Sequence, residues 1–213
     1  MKSKTVVVQP LNHAHRPSTQ HRSRRQPILA ARPYSFTLTE FHQLLAAAGN
    51  DEVANELRQI ATIIFCTGIR KNELRDLAWT DVDLDKRTMC VGTKGFKQRT
   101  VPFGHNVLEV FADRAKSNTG QKFVVGNSPA ATLRRIAQRL HTLPSTTDGR
   151  KFTLHTLRHS FAIQWLSAGG GIVEPMAVMG FSSLRPVFTF YSLNHIPTSA
   201  ALNQSQLGDE TAN

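Results

Sequence analysis

Cysteine is nearly absent, with two in 213 residues: Cys66 in the apolar run IIFC and Cys90 in an alternating, strand-like run. Neither belongs to a CxxC pair or stands at zinc-ligand spacing from a histidine, so neither a disulfide scaffold nor a zinc site organises this chain. Both thiols are expected as small buried hydrophobes. Long hydrophobic runs are absent too. The longest uncharged apolar stretch, Ile60 to Ile69, falls well short of the ~20 residues that cross a bilayer. At the N-terminus the apolar stretch from Thr5 to Val8 stops at Gln9 and Pro10, too early for the core of a secretion signal. The expectation is an intracellular protein, cytoplasmic and nucleoid-associated, with no membrane partner. Acidic residues are scarce as well, with 15 Asp and Glu against 26 Lys and Arg, a net charge of +11 and a pI near 10.4. Such a surface attracts polyanions, nucleic acid first among them.

What is present fits one ordinary domain with appended tails. Lys2, Lys4, Arg16, Arg22, Arg24, Arg25 and Arg32 all precede the first acidic residue, Glu40, among Pro, Ser, His and Gln. Residues 1–35 therefore read as a basic, weakly hydrophobic arm, with Arg24 and Arg25 as candidate phosphate contacts. The folded part is expected from Phe36. Thr37 and Glu40 have capping-box spacing ahead of Phe41, Leu44 and Leu45, which marks a first helix ending at Gly49-Asn50. A second helix is expected from Asp51 to Cys66. A third, short one should start after Gly68-Ile69-Arg70 and carry Leu74, Leu77 and Ala78 at helical spacing.

From Lys86 to Phe103 the pattern alternates on either side of Lys94-Gly95, predicting a hairpin with Lys94 near its turn. A strand from Phe123 to Val125 could join it. Helices are predicted at Asn106–Lys116 and Pro129–Leu140, the latter bearing Arg134, Arg135 and Arg139, which are either a solvated face or a DNA-facing one. Thr153–Ala168 reads as a helix with a core stripe of Leu157, Phe161 and Trp165, and His155 and Arg158, three apart, share neighbouring positions on it. A last helix is expected from Pro175 to Gly180, followed by Tyr191 and a polar tail from 193 to 213.

Three stretches, TGIRKNELRDLAWTDVDL, VGTKGFKQRTVPF and LHTLRHSFAIQWLSAGG, together resemble the phage integrase, or tyrosine recombinase, family over most of residues 36–192. The resemblance implies a mainly α-helical catalytic domain of α+β class with a small antiparallel β-sheet. It implies that Arg70 and Arg158 clamp a phosphate, Lys94 acts as general acid and His155 handles a proton. Tyr191 then becomes joined to the DNA 3′-phosphate. No cofactor and no metal are implied. Its partners would be duplex DNA, a homotetramer assembled on it, and DNA-bending accessory proteins. Glu73 reads as a structural partner orienting a basic group, and His159 as a packing or supporting residue. Tyr34 and Tyr191 are the two tyrosines, and Tyr34 precedes every motif.

Two departures stand out. Where the family carries a His or Trp that bonds the scissile phosphate, this chain has Phe181, and Tyr191 lies one residue further on than usual, with Pro186 between them. Residues 1–35 are also too short for the second DNA-clamping domain of most members, so the chain resembles minimal forms such as fimbrial invertases. A type IB topoisomerase-like enzyme and a catalytically impaired DNA-binding regulator stay open as alternatives.

Overall fold

A computed structural model describes residues 35–92, 98–117, 119–144, 149 and 151–181. The arm, Lys94, Tyr191 and the tail from 193 lie outside them.

The first helix, α1 (Leu38–Ala47), starts with the expected capping box: the Thr37 hydroxyl accepts from the Glu40 amide at 3.2 Å, and the Glu40 carboxylate accepts from the Thr37 amide at 2.8 Å. Just upstream, Phe36 is fully buried and stacks on Phe152 with ring centroids 4.2 Å apart. Its backbone is held by side chains of a distant helix, the amide donating to the buried Ser160 Oγ at 2.6 Å and the carbonyl accepting from the half-buried Gln164 at 2.8 Å.

Helix α2 (Glu52–Thr67), capped by Asp51, is the beam of the domain. Leu57, Ile60, Ala61, Ile63 and Ile64 are completely buried on it, a spread wider than the stripe of a surface helix, and it packs against α4, α5 and α6. It ends at Gly68, which adopts a left-handed conformation and whose amide bonds Ile64 O.

Helix α3 (Lys71–Asp76) follows, then a single 3-10 turn (Trp79–Asp81) and a three-stranded antiparallel sheet in the order β1 (Val82–Asp83), β2 (Thr88–Val91), β3 (Arg99–Pro102). Met89 faces Val101 and Val91 faces Arg99 across the hairpin, and Met89, Val91 and Val101 are buried on its inner side. Helices α4 (His105–Ser117), α5 (Pro129–Thr142), α6 (Leu154–Ser167) and α7 (Val173–Met179) complete the domain. Arg114 of α4, itself buried, ties α2 to the 122–125 segment by donating to Gln59 Oε1 at 2.6 Å and Val124 O at 2.8 Å.

Four expectations are corrected. Leu77 and Ala78 are buried as their spacing requires but lie beyond α3, because their backbone bonds the 122–124 segment: Val124 N donates to Leu77 O and Trp79 N to Lys122 O. Phe123 accordingly makes an isolated bridge to Ala78, and β1 is what joins the hairpin. Trp165 is 38% exposed, while Leu157 is fully buried and Phe161 nearly so. Both cysteines are half-buried, Cys66 packing against the core and Cys90 on the face of β2 opposite Met89. Burial also raises the Cys66 thiol above its ordinary range.

Gly68 has φ 64°, and a Cβ there would run into Phe161 of α6 and come within 3.0 Å of Met179. Gly68→Ala is expected to destabilise the domain by about 2–4 kcal/mol, the sum of a left-handed alanine and an overpacked contact. Urea unfolding of the two proteins measures it.

Candidate active site

The turn at Gly68 and the burial of Ile69 deliver Arg70 to the N-terminus of α3 with extended backbone. There its own amide is capped by Glu73, whose Oε2 accepts it at 2.7 Å, while Glu73 Oε1 accepts Arg70 Nη1 at 2.9 Å. The same carboxylate is gripped from the other side by Arg99 of β3, Nη1 donating to Oε1 at 2.6 Å and Nη2 to Oε2 at 2.8 Å. Burial would raise this carboxyl, but the bonds from Arg99, the Arg70 amide and the Arg70 guanidinium overcome it and hold it down to about 2. Glu73 is therefore an anion at any physiological pH and orients arginines, as its place in the sequence suggested.

Three arginines meet at the end of α7. Arg99 Nε donates to Val178 O at 2.6 Å, Arg158 Nη2 to Met179 O at 2.8 Å and Arg70 Nη2 to Gly180 O at 2.8 Å. These consecutive carbonyls lie at a helix C-terminus, where orphan acceptors and the negative end of the helix dipole favour cations. Arg158, on α6, also donates to Gly68 O and lies 5.3 Å over the ring of Phe181. Burial first, then the charges of Arg70 and Arg99, lower its pKa to about 9, which leaves it protonated at neutral pH.

His155 lies one turn before Arg158, its Nε2 2.7 Å from Nε2 of His159. One ring must donate and the other accept. Burial and then Arg158 lower His155 from 6.5, while burial, His155 and Arg158 lower His159 to about 3. His155 is thus neutral at pH 7 and able to take a proton.

Arg70, His155, Arg158 and Phe181 open on one cavity of about 480 Å³, together with Lys71 and His141. Among the described residues its lining holds cations and no carboxylate. A phosphate diester could sit there without a metal ligand set, and the described residues offer no group of three His, Cys, Asp or Glu that could hold one.

The model of the phage integrase family matches residues 35–195, most of the chain. The chain belongs to this family. Phage integrase family kinship extends to the tyrosine recombinase XerC of Pediococcus pentosaceus, 31% identical over 169 residues, which cover 71% of this chain and 55% of that one. The chain thus spans about half the length of the curated relatives it matches. Among solved structures it resembles XerH site-specific recombinase bound to difH substrate (TM-score 0.60, 20% identity, covering 85% of this chain and 55% of that chain). It also resembles the catalytic domain of bacteriophage HP1 integrase (TM-score 0.56, 19% identity, 84% and 96%). The mainly helical fold with its small antiparallel sheet is that of the phage integrase catalytic domain.

Of the residues singled out from the sequence, Arg70, His155, Arg158 and Phe181 are brought together. Lys94 and Tyr191, like Arg24 and Arg25, fall outside the described residues, although the strands on both sides of Lys94 are in place. On α5, Arg135 bonds Glu56 and Arg139 bonds Asp51, both on or capping α2, and Arg134 is exposed. Arg99 and His141 were not singled out. Arg99 sits inside the quoted hairpin stretch, where an arginine on an alternating strand gives no local sign of its partners. No helix among the described residues is long and apolar enough to cross a membrane.

Because the folded Glu73 carboxyl is held at about 2 against an ordinary 4.5, its charge stabilises the fold above about pH 4.5, and that stabilisation is lost as pH falls toward 2. Glu73→Gln is expected to cost ~3 kcal/mol at pH 7, with the gap to wild type closing across that acid window. Denaturant midpoints measured at a series of pH values give the difference directly.

Proposed function

We propose that this chain is the catalytic domain of a site-specific tyrosine recombinase, cutting and rejoining duplex DNA through a covalent 3′-phosphotyrosyl intermediate. The observation that carries this reading is the convergence of Arg70 and Arg158 with a neutral His155 on one cavity that holds no carboxylate among the described residues, in a chain of the phage integrase family. Arginine keeps its charge and matches phosphate oxygens with paired N–H groups, so two of them neutralise a phosphorane-like transition state. Arg70 is suited to this because three of its five N–H groups have no partner among the described residues, and its side chain is 42% exposed.

In the reaction, Tyr191 Oη attacks phosphorus as its proton passes to His155, and the bond from phosphorus to the 5′ oxygen breaks. Lys94 protonates the departing oxygen, leaving a free 5′-hydroxyl. Rejoining reverses these steps with a 5′-hydroxyl of another strand. The phosphotyrosyl ester keeps the energy of the broken bond, so no nucleotide is consumed. Strand exchange joins two duplexes and calls for a homotetramer on DNA, with accessory bending proteins where the site must be folded. The basic arm of residues 1–35, including Arg24 and Arg25, and Arg134 on α5 would add phosphate contacts. The net charge of +11 supports a DNA partner.

The reading is tested with nicked suicide duplexes tiled across the DNA flanking the gene. Wild type should form a covalent adduct, and Tyr191→Phe should abolish it while binding stays nearly unchanged. Arg70→Ala and Arg158→Ala should each slow cleavage by on the order of 10² or more. An adduct that persists in Tyr191→Phe removes that residue from its role.

Phe181 favours a second reading, a regulator derived from a recombinase, because its ring cannot donate to a phosphate and instead lies over Arg158. In the recombinase reading it acts by packing, so Phe181→His should keep or raise the adduct rate and Phe181→Ala should lower it. Gel assays of adduct against time separate the cases: no adduct in wild type with one restored in Phe181→His identifies the regulator.

A further inference from the structure

Arg99 has no part in the chemistry above and does not line the cavity, yet it joins β3 to α3 and to the end of α7. It faces Val91 in the β2–β3 pair nearest the hairpin connection, which carries Lys94. Its guanidinium, on a side chain only 15% exposed, takes both oxygens of Glu73 and the carbonyl of Val178. Gly180 nests against the same group: it has φ 65°, and a Cβ there would approach Arg99 Nη1 to 2.8 Å. A planar fork with donors on three edges can hold a carboxylate side-on and a helix end at once, which a point charge cannot do.

Glu73 is shared. With Arg99 on both oxygens, the carboxylate gives only Oε1 to the Arg70 guanidinium, and the cluster of Arg70, Arg99, Arg158 and Glu73 keeps an excess of positive charge. Without Arg99 the carboxylate would turn fully to Arg70 and neutralise the cation that faces the cavity. The carbonyl of Val178 would also lose its donor at the point from which the chain runs on to Phe181 and Tyr191.

We propose that Arg99 is a positioning residue of this site, which keeps Glu73 from neutralising Arg70 and anchors the end of α7 that presents Phe181 and the segment carrying the nucleophile. The assignment rests on the recombinase reading for its catalytic consequence, and on the bonds alone for the anchoring.

The test compares Arg99→Met and Arg99→Lys with wild type in two measurements. Amide exchange is followed at Gly180 and Phe181, whose N–H groups bond Ala177 O and Met176 O, with the amides of α2 as reference. Arg99→Met should speed exchange at these two positions by roughly tenfold or more while α2 is unchanged, and Arg99→Lys should fall between. In single-turnover cleavage of the trapping duplex, Arg99→Met should lose on the order of 10² in rate, the cost of small misplacement, with duplex affinity within about threefold of wild type. Its acid limb should move toward neutral pH as Glu73 loses its strongest partner, and Arg99→Lys should recover part of the rate. Wild-type exchange and wild-type cleavage in Arg99→Met overturn the assignment, and so does equal acceleration across α2 and α7, which marks general destabilisation. If wild type itself forms no adduct, the recombinase reading fails instead, and the exchange data alone decide whether Arg99 anchors α7.

Discussion

One carboxylate makes the centre of this molecule possible. Three guanidinium groups converge on the end of a short helix, and like charges at such distances repel strongly once partly withdrawn from water. Glu73 lies between two of them with its charge secured, and the carbonyls of Val178, Met179 and Gly180 supply partial negative charge to all three. The arginines gain fixed positions, and α7 gains partners for acceptors that would otherwise be left unbonded at its end. Remove the anion and the same three residues would push apart the elements they now join.

The rest of the fold serves that junction. Helix α2 is buried nearly all round, so its end at Gly68 is fixed, and with it the start of the segment that carries Arg70 and Glu73. Helix α6 packs along α2, close enough for Arg158 to reach the carbonyl of Gly68. The hairpin contributes Arg99 from β3. Donors held in this way need no rearrangement when an anion arrives, which is the condition under which electrostatic stabilisation of a transition state is strongest.

Features written in local sequence were legible. Thr37 with Glu40, Asp51, Pro129 and the glycine after α7 marked helix ends because capping is decided within a few residues. Arg70, Glu73, His155 and Arg158 were legible through motif spacing. What depended on distant partners was not. Trp165 lies eight residues after Leu157, which at 100° per residue carries it about 80° away from the line of the stripe and toward solvent. Leu77 and Ala78 had the right burial and the wrong backbone, since apolar spacing reports a face and not the strand that claims its carbonyls. The β1 strand is two residues long, below what alternation can register. Arg99 was hidden for the same reason, because its partners lie 26 and 79 positions away in sequence.

The bonds that assemble the site span great lengths of chain: Arg158 to Gly68 across 90 residues, Arg70 to Gly180 across 110. Contacts of this kind form only after large loops have closed, and their entropy cost delays them relative to the helices they connect. During synthesis α2 and the hairpin can take shape while the ribosome is still making α6. The arginines gain their partners at the end of α7 only once residues 178–180 have emerged. A nascent chain can therefore join Arg70 and Arg99 through Glu73 early, whereas Arg158 and the end of α7 complete the anion-gripping geometry only in a late step.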